Sequence, residues 1–183
     1  MKKTMSLSAA LLACLFLARP ATAETPFGKK SFERLGALLG YWEASTPPEG
    51  KIARVWYKLI SGGTALHETL KFEDEPEMVT LYHLDGDDLL ATHYCSANNQ
   101  PRLRVVPSKD ARELKFDFRD ITNLATPESS HMRSLRLVFQ DADHFEQYWT
   151  WREKGKDDTL QLKFERKAQP QAQAPPAAEH KHP

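Results

Sequence analysis

"EMVTLYHLDGDDLLATHYC", Glu77 to Cys95, is the stretch on which the fold turns. Met78, Thr80, Tyr82 and Leu84 alternate with Val79, Leu81 and His83, and alternate residues of a strand line one face. Asp85-Gly86-Asp87 then marks a turn short enough to force an antiparallel hairpin. After it, Leu89, Ala91, His93 and Cys95 share one face, and Leu90, Thr92 and Tyr94 share the other. Both faces are fairly apolar, so periodicity alone does not choose the inward side. The tight turn does: it brings Met78 near His93, on the face shared with Tyr82 and Cys95.

The same pattern recurs outward in both directions. Short β-like runs lie near 41–45, 52–60, 65–73, 77–84, 88–96, 102–107, 113–119, 132–140, 143–152 and 158–166. Ser61-Gly62-Gly63, Asp141-Ala142-Asp143 and Lys154-Gly155-Lys156 mark further turns. Leu114, Phe116 and Phe118 alternate with Lys115, Asp117 and Arg119; Leu160, Leu162 and Phe164 alternate with Gln161, Lys163 and Glu165. Leu135, Leu137 and Phe139 continue the phase of His131 and Arg133. The one long break is "DITNLATPESS", Asp120 to Ser130. Before the first strand, "SFERLGALL" spaces Phe32, Leu35, Leu38 and Leu39 on one helical face, with Ser31 placed as a cap. The expectation is an all-β fold: an up-and-down antiparallel barrel of about ten strands with a short N-terminal helix. Closure removes the exposed strand edges that a long meander otherwise carries. The competing architecture is a two-sheet sandwich. A ten-stranded barrel is wider than an eight-stranded one and harder to fill with side chains, which suggests a ligand cavity.

The chain ends read differently. "MKKTMSLSAALLACLFLARPATAE" has a basic start, an apolar run from Leu7 to Ala18 too short to span a bilayer, and small residues at Ala21-Thr22-Ala23. The pattern is that of a bacterial-type signal peptide over residues 1–23, cleaved before Glu24, with a periplasmic or secreted product. The alternative is lipidation at Cys14. Residues 168–183, rich in Pro, Ala and Gln, cannot bury enough surface to order themselves; His180 and His182 read as solvated. Residues 24–30 form an N-terminal extension and 31–167 one barrel domain. The formally neutral precursor loses Lys2, Lys3 and Arg19 with the leader, leaving a mature chain near −3. There is no basic stripe, so nucleic acid is not an expected partner. Only Cys95 remains of the two cysteines, so no internal disulfide is possible.

Polar residues in phase with apolar ones carry the functional expectation. Leu66, Leu70 and Phe72 share a face with Glu68. A carboxylate aimed into a core needs a partner, water or a proton; Arg54, Arg102, Arg104 and Arg133 are candidate partners. His93 and Cys95 lie two apart on one strand, roughly 7 Å by strand rise, beyond the reach a catalytic thiol pair needs. No third group completes such a site. The histidines, His67, His83, His93, His131 and His144, lack the spacing of a zinc site. The expected cavity lining is Leu66, Glu68, Met78, Tyr82, His93, Phe116 and His131, around a small apolar or amphipathic molecule, with no catalysis and no cofactor. The alternative is a barrel hydrolase or isomerase using Glu68, His93 or His131 as acid or base, or a haem- or metal-binding barrel. Trp42 and Arg166 have structural roles: closure brings them together, and a guanidinium over the indole gains about 0.5–2 kcal/mol.

Gly40-x-Trp42 on the first strand with Arg166 on the last resembles the signature of the lipocalin-like, or calycin, barrels. "SGGTALHET", "EMVTLYHLDGDDLLATHYCSANNQPR", "FDFRDITNLA" and "WTWRE" resemble a set of uncharacterised bacterial exported proteins with such a barrel, over roughly 36–167. The resemblance implies an exported β-barrel without naming its ligand. The related nitrobindin-like haem barrels carry a ligating histidine on the last strands and further glycines after Gly-x-Trp. "GYWEAST" and "DTLQLKFERK" lack both. By that likeness, a haem here would need His131 or His93.

Overall fold

A computed structural model describes residues 24–46 and 50–170. The expected leader with its Cys14, and all but residues 168–170 of the expected tail, lie outside the described residues. Ten strands close into one antiparallel barrel in simple meander order: β1 (Gly40–Thr46), β2 (Lys51–Ile60), β3 (Ala65–Phe72), β4 (Met78–Asp85), β5 (Asp88–Tyr94), β6 (Gln100–Val106), β7 (Glu113–Thr122), β8 (His131–Phe139), β9 (His144–Glu153) and β10 (Lys156–Lys167). β1 pairs with both β2 and β10, so every ladder is completed and no edge is left open. The sandwich alternative is thereby excluded. Each expected strand is present, and the break after residue 119 is shorter than expected because β7 runs on to Thr122.

The helix differs most from expectation. α1 spans Phe27–Leu35 and passes into a single 3-10 turn at Gly36–Leu38. It starts four residues before Ser31, which sits inside the helix and is buried, so Ser31 caps nothing. Pro26 takes the cap position instead, and Pro φ is already suited to a helix start. The helix lies against the β4–β5 turn. Gly28 makes this possible: a Cβ there would stand 2.2 Å from the Asp87 carbonyl oxygen.

α1 and the 3-10 turn stopper one end of the barrel. Trp42 Nε1 donates to the Leu38 carbonyl at 2.7 Å, tying the stopper to β1. The Arg166 guanidinium lies 3.9 Å over the Trp42 ring and donates to the carbonyls of Leu39 at 2.7 Å and Ala37 at 2.9 Å. Gly40 leaves room for it: its φ is +115°, and a Cβ would meet Arg166 Nη1 at 3.2 Å. Behind this latch the interior is dense with rings. Trp42 meets Phe145 edge-on at 4.7 Å, and Phe145 stacks on Phe164 at 5.0 Å. The far end, ringed by the β1–β2, β3–β4, β5–β6, β7–β8 and β9–β10 connections, carries no helix among the described residues.

Candidate functional site

The β3 alternation aims Glu68 inward, and register carries a polar row around the wall beside it. Tyr57 on β2 stands opposite Glu68, Glu68 opposite Thr80 on β4, and Thr80 opposite His93 on β5. Glu68, Thr80 and His93 are each at most 1 % exposed. Tyr82 donates its hydroxyl to Glu68 Oε2 at 2.6 Å. Thr80 Oγ1 lies 3.0 Å from His93 Nδ1. From the facing wall, Gln147 Nε2 donates to the Tyr57 hydroxyl at 2.6 Å and Trp149 Nε1 to Gln147 Oε1 at 3.2 Å. The Trp149 ring packs on His93, centroids 4.7 Å apart. Two buried atoms of this layer lack a hydrogen-bond partner: Glu68 Oε1 and His93 Nε2.

No arginine reaches Glu68. Arg54 pairs with Glu43 and Glu73, Arg102 with Asp120, and Arg104 with Asp88, all on the outer surface; Arg133 lies over Phe118. The expected arginine partnership is replaced by hydroxyls. Burial pushes the Glu68 carboxyl up, opposed by hydrogen bonding from Tyr82, Tyr57, Gln147 and Thr80. Burial likewise lowers His93 to about 4, so the imidazole is neutral at physiological pH. Burial, then the charge of Glu68, drive the Tyr57 and Tyr82 phenols well above 10. The layer is polar, and its His93 imidazole is neutral.

One step toward the unstoppered end the wall opens. A cleft of about 330 Å³ is lined by Phe72, Met78, Met132, Trp149, Trp151 and Leu160, with Glu75, Cys95, Ser96 and Asp158 completing it. Its volume falls within the range of small-molecule sites. No lysine or arginine lines it. The Cys95 thiol is free. Burial raises its pKa, the nearby Glu75 charge adds to this, and contacts with Ala97 and Ser96 oppose it. A thiol so placed is not an activated nucleophile. Among the described residues no group of three or more His, Cys, Asp or Glu side chains is placed to hold a metal ion.

Of the residues expected around a ligand, Met78 lies on this cleft. Glu68 and His93 do not line it; Trp149, which does, packs on the His93 ring. Leu66, Tyr82 and Phe116 are deeper still and at most 1 % exposed, with Tyr82 and Phe116 edge-to-face at 5.7 Å. The middle of the barrel is therefore filled by rings, which offset the width of ten strands. His131 is buried near the open end, its Nδ1 2.9 Å from the Ser129 carbonyl and its ring 5.5 Å from Phe118. Sequence reasoning missed Phe72, Met132, Trp149, Trp151 and Leu160 as lining. "WTW" carried a legible signal, two tryptophans in phase with Phe145. Met132 did not: counting back from Leu135 places Arg133 inward, but a register shift between Met132 and Ser134 turns Met132 in, opposite Trp151.

No protein-family model matches the chain, and no curated protein matches it in sequence. Among solved structures, the barrel is similar to Rv2717c from M. tuberculosis, at 16% identity and a TM-score of 0.50, over 75% of this chain and 97% of that one. At that identity the likeness is one of fold: a ten-stranded antiparallel barrel with a distant structural neighbour.

Proposed function

We propose that the protein is an exported, lipocalin-like binding barrel that takes a small apolar or amphipathic molecule into its mouth without transforming it. The observation that carries this reading is the cleft: aromatic and thioether side chains around about 330 Å³, at the barrel end that no helix covers among the described residues. Glu75 and Asp158 are the charged residues of the lining, although the Lys71 ammonium reaches the Glu75 carbonyl just outside it, and they favour a neutral or cationic molecule over a fatty-acid anion. The resemblance of "EMVTLYHLDGDDLLATHYCSANNQPR" and "WTWRE" to exported barrels supports the compartment, as does the leader pattern of residues 1–23. An acid–base enzyme would need Glu68 or His93 within reach of substrate, and both are at most 1 % exposed and outside the cleft lining.

The test uses the neutral apolar dye N-phenyl-1-naphthylamine. Saturable binding is expected, with energy transfer from Trp149 and Trp151. Leu160→Glu, at a position already 40 % exposed, is expected to weaken it about tenfold or more by placing a charge against the apolar wall. Dye binding that is absent, or equal in the variant, overturns the reading. Export is tested separately: the periplasmic product should begin at Glu24, whereas a membrane-held product lipidated at Cys14 contradicts it.

A further inference from the structure

Among the described residues there are three sulfur-bearing side chains, Met78, Cys95 and Met132, and all three line the one cleft. Their placement follows from register. The β4–β5 ladder ends at the pair Val79–Tyr94, and Met78 and Cys95 are the next residues beyond it in the chain. Met132 comes from the facing wall, turned inward by the β8 irregularity. Two residues below Cys95 on the same strand face is His93, with Nδ1 committed to Thr80 and Nε2 buried without a partner. Glu75 and Asp158 bring negative charge and no cation opposes them from the lining.

We propose that this cleft is also a site for a thiophilic monovalent cation, Cu(I), held by the Cys95 thiolate and the thioethers of Met78 and Met132. Thiolate and thioether donors favour soft Cu(I) over magnesium or calcium. Binding forms a sulfur–copper bond as the Cys95 proton leaves to solvent; copper arrives as Cu(I) and no electron moves. The proposal does not depend on an apolar molecule occupying the cleft.

The experiment is a titration of the purified protein with Ag(I), a redox-stable probe of Cu(I) sites, in chloride-free and thiol-free buffer. It is followed by native mass spectrometry and tryptophan emission, and repeated with Cu(I) against a chromophoric chelator. One equivalent is expected, with a change in emission from Trp149 and Trp151, which share the cleft. Met78→Leu and Met132→Leu keep the apolar volume. Each is expected to weaken binding by at least the roughly tenfold that loss of even an outer partner of a metal site costs. Cys95→Ala, with its fold checked by circular dichroism, is expected to abolish binding. No binding by the wild-type protein overturns the proposal. Wild-type affinity in both methionine variants overturns it too, because a thiol alone then explains the silver. Leu160→Glu is expected to lose the dye and keep the silver, so the two readings fail separately.

Discussion

Glu68 is the residue whose environment most constrains the protein. Its carboxyl has hydroxyl neighbours and no cation, and burial raises its pKa above the ordinary 4.5. A raised folded-state value means that the proton is held more tightly in the native than in the unfolded chain. The stability linked to that proton is complete below about 4.5 and is lost as pH rises through the folded value. Glu68→Gln removes the titration at nearly constant shape. Thermal melts across pH are therefore expected to show the wild type falling behind Glu68→Gln as pH rises above 4.5, with the two converging in acid. A constant difference across pH would contradict a titrating Glu68. Thr80→Val tests the same layer from the other side. It strips His93 of its Nδ1 partner and leaves both ring nitrogens unpaired, at an expected cost of about 1–3 kcal/mol in urea unfolding.

At the level of elements, the stopper is held by few residues, each with a distinct role. Arg166 satisfies the carbonyls of Ala37, Leu39 and Ala142 while covering Trp42. Arg166→Lys keeps the charge and loses the planar fork, so it is expected to be destabilising by about 2 kcal/mol and to rescue little relative to Arg166→Ala. Gly28→Ala sets two effects against each other. Alanine gains about 1 kcal/mol of helix propensity, but its Cβ would meet Asp87 O at 2.2 Å. The contact is with backbone, which cannot swing away, so overpacking wins. Hydrogen exchange is expected to speed in α1 and the β4–β5 turn of Gly28→Ala, with β8–β10 unchanged. Slower exchange in α1 would show that propensity dominates.

Across the whole molecule, closure couples the ten ladders. Circular dichroism and tryptophan emission are therefore expected to report one coincident unfolding transition. The helix closes one mouth and leaves the other to the cleft, so chemistry concentrates at a single end. Strand count and hairpin order were legible because they follow from period-two alternation and short turns, which are local; the pairing of Trp42 with Arg166 followed from them once the meander was taken to close. Glu68 and His93 were legible as inward polar residues for the same reason. The cleft lining was not, because Phe72, Met132, Trp151 and Leu160 come from four strands that only closure brings to one mouth. Alternation tells which face a side chain takes, but not how high in the barrel it sits or whether rings from other strands fill the space before it. Hence the amino-acid order determined an all-β meander and its inward polar positions. Tertiary structure alone decided that tyrosine hydroxyls rather than an arginine meet Glu68, that the middle of the barrel is packed, and that three sulfurs share one opening.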